Sequence, residues 1–138
     1  MSKFLFVTHG HMATGVKSTL EIITGNCSKL TAIDAYVDSK NVVVAVKEYF
    51  DQLLDDEQLI MLSDIENGSA NQLLYKYLSR PKTFLITGVN LPLLLQIILN
   101  DNPELTENDL KKAIDEAKNS IKLFKDYGTD DDDEGSFF

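Results

Sequence analysis

A histidine follows the first apolar run of the chain, at a point where its side chain could do chemistry. Phe4 to Val7 form a short aromatic and β-branched stretch, and Thr8-His9-Gly10 comes directly after it. Such a stretch is typical of a buried strand that ends at the glycine. Ligands of parallel sheets bind at the carboxyl ends of the strands. Because an imidazole accepts and releases protons or phosphoryl groups near neutral pH, His9 is the first candidate for a reactive group.

Two later segments also place polar residues and glycines directly after apolar runs. Leu62-Ser63-Asp64 leads into Asn67-Gly68-Ser69-Ala70. Further along, Ile86-Thr87-Gly88 leads into Val89-Asn90-Leu91-Pro92. If each apolar run is a parallel strand, these segments gather with His9 at one edge of the sheet.

The spacing of apolar residues predicts the elements that would position these segments. Four strands are expected, at Lys3–Val7, Leu30–Tyr36, Gln58–Leu62 and Lys82–Ile86. Between them, apolar residues recur with the period of a helix. This alternation predicts an α/β fold, a mostly parallel, doubly wound sheet of four strands with helices on both faces.

Capping residues indicate where several of the helices begin. Ser39 is the predicted N-cap of the second helix, and Asn90 caps a helix that has Pro92 in its first turn. Thr106-x-x-Asp109 has the pattern of a capping box at the start of the last helix. Ser120 to Phe124 fit either the end of that helix or a fifth, C-terminal strand, and both alternatives stay open.

Length and charge limit the classes of function. The 138 residues suit one domain, expected at residues 1–127, followed by an acidic and disordered tail at 128–138. The net charge is −9, which argues against nucleic acid as a partner. Cys27 is the only cysteine, so a reducing, cytoplasmic setting is expected. No apolar run of the sequence has the length that a membrane-spanning helix needs.

Together, the three strand-end segments resemble the IIA domain of the mannose family of the bacterial phosphoenolpyruvate-dependent sugar phosphotransferase system (PTS). That family carries T/S-H-G after its first strand, D-x-x-G-G-S-P after its third and G-V-N-L/I-P-M/L after its fourth. This chain has Thr8-His9-Gly10, Asp64 to Ala70 and Gly88 to Leu93 at the matching places. The resemblance covers about residues 1–125, and its third segment matches most closely.

The resemblance implies a phosphotransferase that relays phosphoryl groups during sugar uptake. His9 would accept a phosphoryl group from the carrier protein HPr and pass it to a IIB component, expected on a separate chain. A homodimer is implied, without a metal or other cofactor, and contact with the membrane only through the IIC and IID transporter components. The alternative is a regulatory or binding module of the same fold, in which phosphorylation of His9 is a signal.

A phosphohistidine relay also indicates what the neighbouring residues would do. Asp64 is the best acceptor for one ring N–H of His9, because a carboxylate there fixes the tautomer of the imidazole. The phosphoryl group carries negative charge on its oxygens and needs fixed donors. Backbone N–H groups at Gly10, Gly68 and Ser69 are the candidates, together with the Ser69 hydroxyl group.

The second segment departs from the family pattern. Asn67 stands at the first glycine of that pattern, and asparagine tolerates positive φ better than most residues. Ala70 replaces the proline, and Glu66 adds a negative charge near the expected phosphoryl site. Receiver, flavodoxin and histidine phosphatase domains are weaker alternatives. The last of these has an arginine where this chain has Thr8.

Overall fold

The computed structural model describes residues 2–125 and contains four strands and five helices in that range. In chain order these are β1 (Ser2–His9), α1 (Met12–Thr24), β2 (Leu30–Ala35), α2 (Val42–Gln52), β3 (Gln58–Ser63), α3 (Ser69–Tyr75), β4 (Thr83–Thr87), α4 (Leu91–Ile98) and α5 (Glu107–Lys118). None of these helices is both long enough and apolar enough to pass through a membrane.

All strand pairs are parallel, and the strand order is β2-β1-β3-β4. This confirms the predicted α/β fold with a mostly parallel, doubly wound sheet. The chain moves outward from β1 in one direction to β2 and in the other to β3 and β4, so the order reverses between β1 and β3. In the register of the sheet, Val7 is opposite Ser63 and His9 is opposite Ala35. The carboxyl ends of three strands therefore meet around His9, where ligands of such sheets bind.

Alternation along β1 divides the apolar core between the two faces of the sheet. Phe4 and Phe6 pack with α1, α4 and α5 on one face. Leu5 and Val7 pack with α2 and α3 on the other. Both faces are covered by helices, as the near-continuous apolar strands predict. The sheet is thus a rigid support for the loops at its edge.

The structure corrects one predicted boundary of α2 and shortens β2. The N-cap of α2 is Asn41 rather than Ser39, because the Asn41 side chain accepts the Val43 N–H at 2.9 Å. Strand β2 ends one residue earlier than predicted, since Tyr36 adopts φ 67° and leaves the extended conformation. The predicted caps of α4 and α5 are confirmed.

The C-terminal predictions are tested only in part. Residues 121–125 belong to neither a helix nor a strand, and α5 ends at Lys118. The extension of α5 through Phe124 is therefore wrong, whereas a fifth strand at Ser120 to Phe124, which the described chain does not form, stays a prediction. The domain boundary at residue 127 and the acidic tail at 128–138 lie outside the described residues.

Candidate functional site

His9 is the last residue of β1, and the neighbouring strand end holds its imidazole ring. The His9 Nδ1 atom lies 2.8 Å from Oδ2 of Asp64, the residue that directly follows β3. The same oxygen accepts the backbone N–H of His9 at 2.9 Å. One carboxylate oxygen therefore fixes both the backbone and the ring of His9. The sequence-based pairing of His9 with Asp64 corresponds to this direct contact.

The Asp64 carboxylate is largely shielded, yet its surroundings favour the charged form. Its side chain is 11% exposed, against 44% for His9. Burial raises the pKa of Asp64, but hydrogen bonds from the His9 N–H, the His9 ring and the Ile65 N–H outweigh it, and the pKa lies below its usual value. An ionised carboxylate only accepts hydrogen bonds, so Nδ1 of His9 carries the proton. In the neutral ring, Nε2 then carries the lone pair.

Two hydroxyl groups form a chain of hydrogen bonds on the Nε2 side of the His9 ring. Ser69 Oγ lies 3.2 Å from His9 Nε2, and Ser69 is the first residue of α3. The Tyr36 hydroxyl group donates to Ser69 Oγ at 2.7 Å. The ring of Tyr36 also lies beside that of His9, with 5.4 Å between the centroids and a tilt of 31°. Both ring nitrogens of the exposed His9 imidazole therefore have a hydrogen-bond partner.

The two site glycines serve different structural needs. A Cβ atom on Gly68 would lie 3.2 Å from Cε1 of His9 and 3.1 Å from Cγ1 of Ile65, so a side chain there would press on the imidazole. Gly10 has free space around it but adopts φ 62°, which favours glycine. Their N–H groups donate to the carbonyl oxygens of Ile65 and Ala35, at 3.3 and 3.0 Å. The expectation that these N–H groups bind phosphate stays a prediction.

The residues that depart from the family pattern fit the loop without disrupting it. Asn67 adopts φ 67°, the conformation that its sequence position requires. Ala70 is buried against the second face of the sheet, and Glu66 is exposed. The altered loop therefore still brings Ser69 to the His9 ring.

The third strand-end segment, Ile86 to Pro92, forms no hydrogen bond to His9 among the described residues. It connects the elements around the site instead. The Asn90 side chain caps α4 through the Leu93 N–H at 3.0 Å and donates to the carbonyl oxygen of Ala117 at 3.0 Å. Thr87 Oγ1 lies 2.8 Å from Oγ of Ser63, the last residue of β3. The segment thus ties α4, α5 and β4 to the strand that carries Asp64.

Two features at the end of β2 were not predicted from the sequence. One is Tyr36, and the other is a second histidine–aspartate pair, with His11 Nδ1 3.1 Å from Asp34 Oδ2. Asp34 also accepts the N–H of Thr14 at 3.0 Å and the Thr14 hydroxyl group. The signal was present in the sequence, because a predicted strand ending at Tyr36 should bring its last residues to the same edge as His9. Residues 2–125 contain no cluster of three or more His, Cys, Asp or Glu side chains that could hold a metal ion.

Comparison with known proteins places the chain among PTS components. Residues 3–118 match the model of the EIIA-man family, the PTS system fructose IIA component. A provisionally assigned phosphoenolpyruvate-dependent PTS permease from Klebsiella pneumoniae is 29% identical, with a TM-score of 0.83, over 88% of this chain and 90% of that one. No curated protein matches the chain.

Two streptococcal structures are similar as well. The PTS component EIIA from Streptococcus agalactiae is 25% identical, with a TM-score of 0.74, over 90% of this chain and 98% of that one. The PTS IIA protein associated with the fucose utilization operon of Streptococcus pneumoniae is 27% identical, with a TM-score of 0.72, over 88% and 92%. The similarity covers most of each chain.

Proposed function

The chain belongs to the EIIA-man family, the PTS system fructose IIA component, and from that premise we propose that it is a phosphocarrier that uses His9. Membership in the family supports a role in PTS sugar phosphotransfer. In the proposed relay, His9 accepts a phosphoryl group from HPr and passes it to a IIB component during sugar uptake. The observation that carries this proposal is the orientation of the ring, with Nδ1 held by Asp64 and Nε2 directed toward the Ser69 hydroxyl group.

The proposed transfer begins at Nε2 of a neutral His9 ring. The Nε2 lone pair attacks the phosphorus atom of the phosphohistidine on HPr, and an N–P bond forms as the N–P bond of the donor breaks. The electron pair of the broken bond stays on the donor imidazole, which leaves as a neutral ring with a proton on its other nitrogen. His9 keeps its Nδ1 proton, so its phosphorylated ring gains positive charge beside the Asp64 carboxylate. Transfer to the IIB component reverses these roles.

Ser69 is the proposed donor to the transferred group. Its hydroxyl group lies within hydrogen-bond distance of Nε2, so it can turn to a phosphoryl oxygen once the N–P bond has formed. Fixed donors of this kind stabilise the charge on a transferring phosphoryl group. Gly68 contributes by leaving room for the imidazole ring beside the start of α3. The backbone N–H groups of Gly10 and Gly68 stay in the proposal as donors that a small shift of the loops would release.

The cellular setting and assembly of the protein are part of the same proposal. A PTS carrier that receives phosphoryl groups from HPr works in the cytoplasm and meets the membrane only through the transporter components. We also propose a homodimer, as the resemblance to the mannose family implies. Analytical ultracentrifugation of the purified chain would test the dimer, and a single species with the mass of one chain would contradict it.

The mass of the intact protein tests the relay. The chain is incubated with phosphoenolpyruvate, enzyme I and HPr, and wild type is compared with His9→Ala and with His11→Ala as a matched control. We expect one acid-labile phosphoryl group on wild type and on His11→Ala, and none on His9→Ala. An unmodified wild type, with a known IIA protein phosphorylated in parallel, would refute the relay. A stable adduct that no IIB component can remove would instead support the alternative of a signalling module.

A further inference from the structure

Tyr36 crosses the candidate site from the outer strand of the sheet. It follows the last residue of β2, yet its hydroxyl group bonds to Ser69 at the start of α3. Strand β1, which ends at His9, lies between β2 and β3. The Tyr36 side chain therefore reaches over the end of β1, and its ring lies beside the imidazole.

We propose that Tyr36 is a positioning residue of the phosphoryl transfer, and that it acts on His9 through the Ser69 hydroxyl group. This inference rests on the proposed function of His9. It assigns a role to a residue that lies outside the three strand-end segments.

The backbone of Tyr36 is held in an unusual conformation. Its φ of 67° lies in the left-handed region, which is uncommon for a bulky aromatic residue. Such outliers persist where surrounding contacts hold them, and they cluster at functional sites. Here the holding contacts are the hydrogen bond to Ser69 and the packing against His9. Tyr36 is 59% exposed, so burial in the core does not account for the conformation.

The chain of hydrogen bonds determines where the Ser69 proton points. A serine hydroxyl group has one proton and two lone pairs. Because the Tyr36 O–H donates to Ser69 Oγ, the Ser69 proton is free to point at His9 Nε2, which carries the lone pair of the neutral ring. After transfer, the same proton is directed to a phosphoryl oxygen. Donation from Tyr36 also polarises the Ser69 O–H and strengthens it as a donor.

A double-mutant cycle tests whether Tyr36 acts through Ser69. The rate of phosphoryl transfer from phosphorylated HPr is measured for Tyr36→Phe, Ser69→Ala and the double variant. We expect Tyr36→Phe to slow transfer about fivefold and Ser69→Ala about tenfold, as the loss of one hydrogen bond to the reacting group implies. The double variant should match Ser69→Ala, because the tyrosine then has no partner to act through. Multiplied effects, about fiftyfold in all, would overturn the proposal, as would a normal rate for Tyr36→Phe.

The matched control is Tyr75→Phe, which removes a phenol oxygen from an exposed tyrosine at the other end of α3. It should transfer at the wild-type rate. Tyr36→Phe keeps the aromatic ring, so a loss of rate is assigned to the hydroxyl group rather than to packing.

A second measurement needs no phosphoryl transfer and so separates this inference from the proposed function. NMR of the His9 ring nitrogens reports whether Nε2 accepts a hydrogen bond. In unphosphorylated Tyr36→Phe, the Nε2 signal should move toward that of Ser69→Ala, while the Nδ1 signal stays unchanged. An Nε2 signal identical to wild type would refute the role of Tyr36. A shifted signal in a protein that HPr never phosphorylates would leave the positioning intact and refute the relay.

Discussion

Two histidine–aspartate pairs lie at the carboxyl edge of the sheet, and they differ in what surrounds the imidazole. In both, Nδ1 faces an aspartate oxygen, at 2.8 Å for His9 and 3.1 Å for His11. The His9 ring also contacts Ser69 and Tyr36 and is 44% exposed. His11 is 79% exposed, and the described residues show no hydrogen-bond partner for its Nε2 atom.

The difference indicates that an orienting carboxylate is not enough to make a site for phosphoryl transfer. Both aspartates have a pKa below the usual value, because hydrogen bonds outweigh the burial that raises it. Asp34, however, accepts from the N–H and hydroxyl groups of Thr14 in the first turn of α1. Its main partners are therefore structural, whereas Asp64 is bonded mainly to His9 itself.

The largest contrast is expected when each carboxylate is made neutral. Asp64→Asn should slow phosphorylation of His9 about a hundredfold, because an amide no longer fixes the ring tautomer or stabilises the charged ring. Asp34→Asn should change the rate less than about threefold. Quenched-flow phosphorylation by HPr measures both rates, and circular dichroism checks that both variants are folded. Equal losses of phosphorylation rate in the two variants would contradict the distinction between the pairs.

A methyl group beside His9 should have the next largest effect. Gly68→Ala places a Cβ atom 3.2 Å from Cε1 of His9 and displaces the ring from its position between Asp64 and Ser69. Misplacement of a reacting group is costly, and we expect transfer to slow about tenfold. The control is Gly15→Ala in α1, where a Cβ atom meets nothing within 4 Å. That variant should keep its rate and gain about 0.5–1 kcal/mol of unfolding free energy.

Lowering the pH should reduce the contribution of both aspartates to the free energy of unfolding. A lowered pKa in the folded state means that each carboxylate stabilises the fold above the pKa of the unfolded chain, about 3.9, and that this contribution is lost as the pH falls through the lower, folded value. Urea unfolding at neutral pH should show Asp64→Asn and Asp34→Asn to be less stable than wild type. Below about pH 4 the differences in unfolding free energy should shrink. Differences that stay constant down to about pH 2 would show that these carboxylates do not carry the acid dependence.

The parts of the site that sequence predicted are those in which a residue type and its strand-end place together imply the chemistry. His9 and Asp64 each follow an apolar run, and adjacency of parallel strands then accounts for their contact. Asn67 stands at a glycine of the family pattern, where asparagine can adopt positive φ, and its φ of 67° agrees with this expectation. The contact of His9 with Asp64 follows from local sequence and the general geometry of α/β sheets, whereas the expectation for Asn67 depends on the resemblance to the mannose family.

What sequence did not predict depends on contacts between distant segments. Tyr36 leaves the extended conformation, and its side chain is bonded to Ser69, 33 positions later. Periodicity carries no information about such a contact. The N-cap of α2 was placed at Ser39 because serine is a good cap. In the structure, Asp38 accepts the N–H of Lys40 at 2.8 Å and forms a turn, so the helix starts later, at Asn41.

The smallest expected effect concerns the Thr14 hydroxyl group, which donates to Asp34. Thr14→Val removes this donor but keeps the backbone N–H bond and the shape of the side chain. Unfolding free energy should fall by about 1 kcal/mol, the usual net contribution of one hydrogen bond, while the phosphorylation rate of His9 stays at the wild-type value. Urea unfolding and HPr-dependent phosphorylation measure the two quantities. A rate loss as large as that of Ser69→Ala would mean that the second pair takes part in the transfer, because its carboxylate would then act on the reaction as Asp64 does.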